Sequence, residues 1–113
     1  MPGQDEQAVF LRCIGEPTRL QILRFLAGRE KCVGAIVEAL NKEQSLVSHH
    51  LKALKDCNIV VARPEAQKIY YRLSDPRLSE LVTTAESLVR ELPLCQCKGV
   101  CHGERENQGC RES

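Results

Sequence analysis

Residues 44–57 read Q-S-L-V-S-H-H-L-K-A-L-K-D-C, and this stretch decides the fold. Val47, Leu51 and Leu54 recur at four- and three-residue steps, with Leu46 beside them, so the pattern predicts a helix with one face packed on a core. The opposite face carries short polar side chains and cations, namely Gln44, Ser45, Ser48, His49, Lys52 and Lys55. Such a face can lie in a DNA major groove, with its cations on phosphates and its amide and hydroxyl groups near base edges. A solvated helix face is the alternative interpretation.

The segments on either side of this helix favour DNA binding. Residues 33–40, V-G-A-I-V-E-A-L, predict a shorter helix joined to it by a tight connection, which gives a helix-turn-helix. After it, residues 59–62 and 69–73 are rich in β-branched and aromatic residues, which predicts a β-hairpin. Its tip lacks the Gly or Asn-Gly of a two-residue turn, so we expect a longer, less regular connection. Arg63 and Lys68 flank the tip, as expected for a DNA-binding wing that reaches nearby phosphates; a structural hairpin is the alternative.

Helical patterns also occupy both ends of the domain. Residues 4–14 and 16–26 predict the first and second helices. Asp75 and Pro76 begin the last helix as its cap and first turn, and apolar residues follow at helical spacing across 78–92. This stripe is long for the core that remains, so it predicts packing on its copy in a second subunit, with help from the first helix. The predicted fold is mainly α with a β-hairpin, a winged helix-turn-helix that forms a homodimer through its first and last helices.

The composition is typical of one soluble, folded domain. The chain has 113 residues, of which 42% are hydrophobic and 27% are charged. Its apolar runs are too short to cross a membrane, and the N-terminal M-P-G-Q-D-E has no signal-peptide pattern, so we expect a cytoplasmic protein without a membrane partner. The net charge is only +1, but residues 45–72 hold five Lys and Arg against two Asp and Glu, a local excess of three. Positive charge therefore collects where DNA would bind.

The order of these elements resembles the ArsR/SmtB family of winged-helix repressors that respond to metals or metalloids. The residues that carry the resemblance are E-P-T-R-L-Q-I-L, S-L-V-S-H-H-L-K-A-L and Y-Y-R-L-S, which start at positions 16, 45 and 70. The resemblance implies a homodimer that binds double-stranded operator DNA and leaves it when an effector binds. It also places in the DNA-reading region the residues Gln44, Ser45, Ser48, His49 and His50. For His50, packing next to Leu51 is the open alternative.

Seven cysteines are many for a chain of this kind. The absence of a signal-peptide pattern favours reduced thiols, available to a soft metal or an oxidant, over a disulfide scaffold. The C-x-C-x-x-C box of some family members keeps only Cys32, since Gly34 and Val37 stand at its other positions. The recognition-helix pair of others keeps only Cys57, because Ala53 stands four residues earlier, and the last helix has no His for a zinc site.

The remaining candidate is the tail segment C-Q-C-K-G-V-C, which holds Cys95, Cys97 and Cys101. In a continuous helix Cys95 and Cys97 would point to nearly opposite sides, since two residues turn about 200°. Pro93 breaks the helix and Gly99 permits a turn. The three sulfurs can therefore converge on one ion.

Several ions suit such a site. Three soft thiolates without a fourth donor suit As(III) or Sb(III), or a thiophilic divalent ion such as Cd(II) or Pb(II). A fourth ligand from His102 or Cys110 would give a Zn(II) site. A flexible tail whose cysteines merely oxidise is the alternative. Cys13 fits the apolar face of the first helix, as core or dimer interface, while Cys32 and Cys57 remain open between packing and accessory ligation.

These patterns predict a transcriptional repressor that leaves operator DNA when arsenite or antimonite binds the tail cysteines. Residues 1–92 would form the DNA-binding and dimerisation domain, and 93–113 a cysteine-rich tail. The alternatives are a repressor that responds to Cd(II) or Pb(II), one that responds to thiol oxidation or persulfide formation, and a thiol metal buffer or oxidoreductase that does not bind DNA. The missing C-x-x-C pair disfavours the oxidoreductase, and the recognition helix and wing disfavour the buffer. No phosphate loop, paired carboxylates or activated nucleophile indicates an enzyme.

Overall fold

A computed structural model of the protein describes residues 4–92. Each helix that the sequence predicts is present in this range, together with three short strands. In chain order the elements are α1 (Gln4–Ile14), α2 (Pro17–Leu26), β1 (Lys31–Cys32), α3 (Val33–Leu40), α4 (Gln44–Asp56), β2 (Val60–Glu65), β3 (Lys68–Leu73) and α5 (Arg77–Glu91). The predicted winged helix-turn-helix is confirmed, with α3 and α4 as the helix pair and β2 and β3 as the wing.

The second helix starts and stops for local reasons. Pro17 occupies the first turn, where its missing N–H has no helical partner to lose. Glu16 caps the helix, because its carboxylate accepts a hydrogen bond from the Arg19 backbone N–H at 2.9 Å. Beyond the C-terminal end, Gly28 takes a φ of 91°, which a glycine adopts without strain. The chain can therefore turn sharply from α2 toward β1.

The core lies between α2, α3, α4 and the start of β2. Its fully buried side chains are Ile22, Leu23, Leu26, Ile36, Val47, Leu51, Leu54, Ile59 and Val60. Burying one such side chain stabilises the fold by roughly 1.5–3 kcal/mol relative to leaving it exposed. Leu46, which the sequence places beside the buried face of α4, is 40% exposed. The buried stripe of α4 is therefore narrow, and most of the helix surface faces outward.

A left-handed residue makes the turn between α3 and α4. Asn41 ends α3 with φ 56° and ψ 48°, and its backbone N–H donates to the Val37 carbonyl at 2.9 Å. Asparagine tolerates this conformation better than most residues other than glycine. The turn needs only the residues up to Glu43, which precedes the first turn of α4. It thus fixes the angle at which α4 leaves the helix-turn-helix.

The wing hairpin belongs to a three-stranded antiparallel sheet in the order β1-β3-β2. The sequence did not indicate β1, because only two residues form it, with Lys31 opposite Tyr71. The expectation of a long, irregular tip was wrong. Glu65 pairs with Lys68, so a two-residue turn closes the hairpin. The turn needs no glycine because Ala66 itself takes a positive φ of 58°.

The chain divides into two units within α5, and the described residues of these units are 4–82 and 83–92. In the first unit, the Asp75 carboxylate accepts a hydrogen bond from the Arg77 backbone N–H at 2.8 Å, which confirms Asp75 as a cap for α5. In the second unit, the described residues continue the helix and expose three apolar side chains, those of Leu88, Val89 and Leu92. Across residues 4–92, no helix is long and apolar enough to span a bilayer.

Candidate nucleic-acid interface

One polar surface of α4 points away from the core, and we call it the outward face. It consists of Gln44, Ser45, Ser48, His49, Lys52 and Lys55, all of which are exposed. The rotation of the helix is set by Val47, Leu51 and Leu54, whose side chains are 0% exposed. Because these three anchor the opposite side, the outward face is held by the core without contributing to it. The structure thus presents together the six residues that the sequence placed on this surface.

His50 was also predicted in the DNA-reading region, but the structure buries it. The residue is 8% exposed, and its Nδ1 accepts a hydrogen bond from Arg19 Nε at 3.0 Å. Its Nε2 lies 3.8 Å from a Glu16 carboxylate oxygen. Burial lowers the pKa of His50 below its usual value, although the Glu16 carboxylate opposes that shift. These contacts favour the packing alternative, because a neutral imidazole joins α2 to α4.

The two lysines of the outward face differ in their partners. Lys52 Nζ lies 3.2 Å from an Asp56 carboxylate oxygen, one helical turn away, and both side chains are well exposed. Such an exposed pair is worth little, roughly 0.3–0.5 kcal/mol, so Lys52 can exchange its partner for a phosphate. Lys55 has no carboxylate partner among residues 4–92. Both lysines are therefore available to a nucleic-acid backbone.

The two cations that flank the wing tip, Arg63 and Lys68, differ more in their partners than the two lysines of α4 do. Arg63 forms ion pairs with Glu30 and Glu65, and its guanidinium lies 5.0 Å from the centre of the Tyr70 ring. The hydrogen bond to Glu30 is the first cause that raises the pKa of Arg63, and the same bond lowers the pKa of Glu30. Lys68, by contrast, is exposed and has no carboxylate partner within the described part of the chain. Arg63 therefore already has two anionic partners, whereas Lys68 has none in that range.

A cleft of about 740 Å³ lies between the helix-turn-helix and the wing. Residues from β1, α3, α4 and β3 line it, including Cys32, Glu38, Gln44, Ser48, Lys68 and Tyr71. The cleft places Gln44 and Ser48 of the outward face on the same concave surface as Lys68 of the wing. The structure thus brings together the polar and cationic side chains that the sequence assigned to separate elements.

The predicted metal ligands lie in the tail, which the described residues do not include. Cys95, Cys97 and Cys101 lie outside the described residues, as do His102 and Cys110. Within residues 4–92, no three His, Cys, Asp or Glu side chains are grouped so that they could hold a metal ion. Cys32 and Cys57 are half-buried, and Cys13 is buried in the core cluster. The packing position predicted for Cys13 is confirmed.

Two partners in this region were missed by sequence reasoning. Glu30, which binds Arg63, lies 33 residues before it in the chain, and no periodic pattern connects them. Arg19, which binds His50, lies 31 residues before it, within a segment that the sequence marks only as a helix start. Such pairs depend on tertiary packing, so a local pattern cannot reveal them.

The helix-turn-helix, the outward face and the adjoining wing define a winged-helix DNA-binding protein. Comparison with known proteins names the family. A family profile described as "Bacterial regulatory protein, arsR family" matches residues 16–61. A probable mercury resistance operon repressor of Streptomyces lividans is 38% identical over 87 residues, which cover 77% of this chain and 70% of that protein. The chain belongs to the ArsR family, and it is a DNA-binding transcriptional regulator rather than an enzyme.

Two further proteins extend the comparison. An arsenical resistance operon repressor of Staphylococcus aureus is 28% identical over 99 residues, covering 88% of this chain and 95% of that protein. The solution structure of a homodimeric winged helix-turn-helix DNA-binding domain from Mycobacterium bovis matches with a TM-score of 0.71 and 31% identity, covering 82% of this chain and 94% of that domain. The similarity thus extends from the sequence to the arrangement of the helices and the wing.

Proposed function

We propose that the protein is a homodimeric repressor that binds operator DNA and is released when arsenite or antimonite binds its tail cysteines. The observation that carries this proposal is the spacing of Cys95, Cys97 and Cys101, which puts three thiols within seven residues. Trivalent arsenic and antimony are soft centres that suit three thiolates, so this donor set matches them. The similarity to an arsenical resistance operon repressor supports the same class of effector.

DNA recognition would use the outward face and the wing together. The hydroxyl and amide groups of Gln44, Ser45 and Ser48 are short and exposed, which suits hydrogen bonds to base edges in the major groove. Lys52, Lys55 and Lys68 would contact phosphates on either side. His49 completes the exposed surface, whereas the buried His50 would position α4.

Dimerisation would use the apolar surfaces of the first and last helices. In α1, Val9 and Leu11 are 48% and 49% exposed, and in α5, Leu88 and Val89 are 44% and 62% exposed. Exposed apolar side chains of this size favour burial against a partner. In a two-fold dimer the same surface is buried on both subunits. The homodimeric state of the M. bovis domain supports a homodimer here as well. Two copies of α4 would then read two operator half-sites.

Release requires that the effector bind the free dimer more tightly than the dimer on DNA. The tail follows α5, so an ion bound there acts beside the proposed dimer helix. A change in the orientation of the two recognition helices would weaken their simultaneous contact with DNA. A coupling free energy of roughly 3 kcal/mol corresponds to about a hundredfold loss of operator affinity.

A divalent thiophilic ion is the second candidate effector. The similarity to a probable mercury resistance operon repressor favours this class, since divalent mercury, cadmium and lead all prefer thiolates. Cys57 or Cys110 would then supply an additional ligand for a divalent ion such as Cd(II) or Pb(II).

The test is a titration of DNA release with the reduced, full-length protein. The duplex is first selected from a random pool by the reduced protein, and the complex is then titrated in parallel with arsenite, antimonite, cadmium, lead and zinc. We expect arsenite and antimonite to release the DNA, and Cys95→Ser, Cys97→Ser and Cys101→Ser each to retain DNA binding but abolish release. Cys32→Ser is the matched control, and it should respond normally. Release that persists in all three tail variants would reject the tail site, and release by cadmium or lead alone would favour the second candidate.

A further inference from the structure

Two thiols from distant parts of the sequence meet beside the last turn of α4. Cys13 is the penultimate residue of α1, and Cys57 caps the C-terminal end of α4. The Cys13 Sγ lies 3.7 Å from the Ala53 carbonyl oxygen, and the Cys57 backbone N–H donates to that same oxygen at 3.1 Å. The pair therefore connects α1 with the end of the recognition helix.

The two thiols differ in their access to solvent. Cys13 is 6% exposed, whereas Cys57 is half-buried at the helix end. Burial, followed by the influence of the neighbouring Cys57 side chain, raises the pKa of the Cys13 thiol to about 11. Because Cys57 is the more exposed of the two, a small reagent from solvent meets it before Cys13. An accessible thiol in front of a buried one is the arrangement needed for a two-step oxidation.

We propose that Cys13 and Cys57 form a disulfide within one subunit when a hydroperoxide oxidises the protein, and that this bond lowers its affinity for DNA. In the first step the Cys57 sulfur attacks the peroxide, the O–O bond breaks, and Cys57 becomes a sulfenic acid. The thiol proton leaves with the other peroxide oxygen, as water or an alcohol. The Cys13 sulfur then attacks the Cys57 sulfur, the S–O bond breaks, and the departing hydroxide takes the Cys13 proton and leaves as water. Two thiols are oxidised to one disulfide, and one peroxide is reduced.

The disulfide acts on the recognition helix through its last turn. A disulfide holds its two sulfurs about 2.0 Å apart, closer than two unbonded thiols can approach, so closing it draws the end of α4 toward α1. It also removes the proton by which Cys13 contacts the Ala53 carbonyl. The last turn of α4 thereby loses a contact that it has in the reduced protein, the one between Cys13 and the Ala53 carbonyl.

Arg19 links the thiol pair to the middle of α4. One of its terminal nitrogens donates to the Cys13 carbonyl at 3.1 Å and lies 3.7 Å from the Cys13 Sγ. Its Nε donates to His50, which is adjacent in sequence to His49 of the outward face. A shift of Cys13 therefore moves the partner that positions His50. The inference uses DNA binding by α4 and is independent of the tail cysteines.

The experiment uses the full-length protein in which the four tail cysteines, Cys95, Cys97, Cys101 and Cys110, are replaced by Ser. The reduced protein is treated with hydrogen peroxide, and its affinity for the selected duplex is measured before oxidation, after oxidation and after dithiothreitol. Tryptic mapping by mass spectrometry then searches for peptide 13–19 linked to peptide 56–68, the fragments that carry the two cysteines. We expect this linked pair and a loss of affinity of at least about tenfold, reversed by dithiothreitol.

Three single changes in the same background serve as controls. Cys57→Ser and Cys13→Ala should each bind DNA when reduced and become insensitive to peroxide, while Cys32→Ser should remain sensitive. Absence of the linked peptides, or their formation with unchanged DNA affinity, would overturn the proposal. The linked peptides report on the site directly, so this reading holds even if a single variant folds poorly. The variant Cys57→Ser with an intact tail should still leave DNA when arsenite is added, because arsenite release would need only the tail cysteines. That result would separate the Cys13–Cys57 site from the proposed tail site.

Discussion

The outward face of α4 and the wing both carry basic residues, but the fold uses them differently. On α4, Lys52 has one exposed partner within the same helix, and Lys55 has none among the described residues. On the wing, Arg63 is held by Glu30 and Glu65, one of them from outside the hairpin. A local excess of charge in the sequence therefore does not show which cations can bind phosphate. A cation that already fastens two elements must give up those contacts before it can bind DNA.

The first and largest expected effect comes from removing the two lysines that have no carboxylate partner among residues 4–92. Lys55→Ala combined with Lys68→Ala should lower affinity for the selected duplex by about tenfold at moderate salt, because two phosphate contacts and their released counterions are lost. A plot of log affinity against log salt should flatten by about two units. Both side chains are exposed, so thermal unfolding should hardly change.

Arg63→Ala is the matched comparison for the two lysines. It should change the salt slope less than either single lysine variant, because its charge is already balanced by two carboxylates. A larger loss of slope for Arg63→Ala than for Lys68→Ala would show that DNA draws Arg63 away from Glu30, and it would break the distinction between the two regions.

A smaller effect, in the opposite direction, is expected from Glu30→Gln. This change removes one of the two anions that hold Arg63, so the guanidinium can turn toward a phosphate. We expect DNA affinity at low salt to rise by about two- to threefold and the salt slope to steepen by less than one unit. The double variant Glu30→Gln with Arg63→Ala should lose the gain. If the gain remains in the double variant, it comes from the lost negative charge alone and not from Arg63.

Much of this architecture could be predicted from the sequence, because it depends on short-range periodicity. The bounds of α1 and α3 agree with the apolar pattern, and Val47, Leu51 and Leu54 set the orientation of α4 as expected. The wing tip could not be predicted, since the turn uses an alanine in a conformation that usually selects glycine or asparagine. The contacts of Arg63 with Glu30, of His50 with Arg19 and of Cys13 with the last turn of α4 could not be predicted either. Each joins residues more than 30 positions apart, and only the folded core brings them together.

A similar contrast occurs within α4, where two adjacent histidines differ in burial. His49 is exposed, whereas His50 is buried. The pKa of His50 is lowered from its ordinary 6.5 chiefly by burial, and the nearby charges of Arg19, His49 and Lys42 act in the same direction against Glu16. The folded protein therefore binds fewer protons at His50 than the unfolded chain does just below pH 6.5. Stability from this group is complete above that pH and is lost as the pH falls through the lowered pKa. Protonation of Nδ1 also removes the acceptor that Arg19 uses.

The smallest expected effect is thus a decline in stability below about pH 6.5, with a slope from this one proton of at most about 1.4 kcal/mol per pH unit. Denaturant unfolding at a series of pH values measures it. His50→Gln should flatten the decline, because a glutamine oxygen can still accept from Arg19 but does not titrate in this range. His49→Gln, on the outward face, should leave the decline in place while weakening DNA binding. If His49→Gln flattened the stability profile instead, the exposed and buried roles of these two neighbours would be reversed, and the outward face would no longer be separable from the packing that supports it.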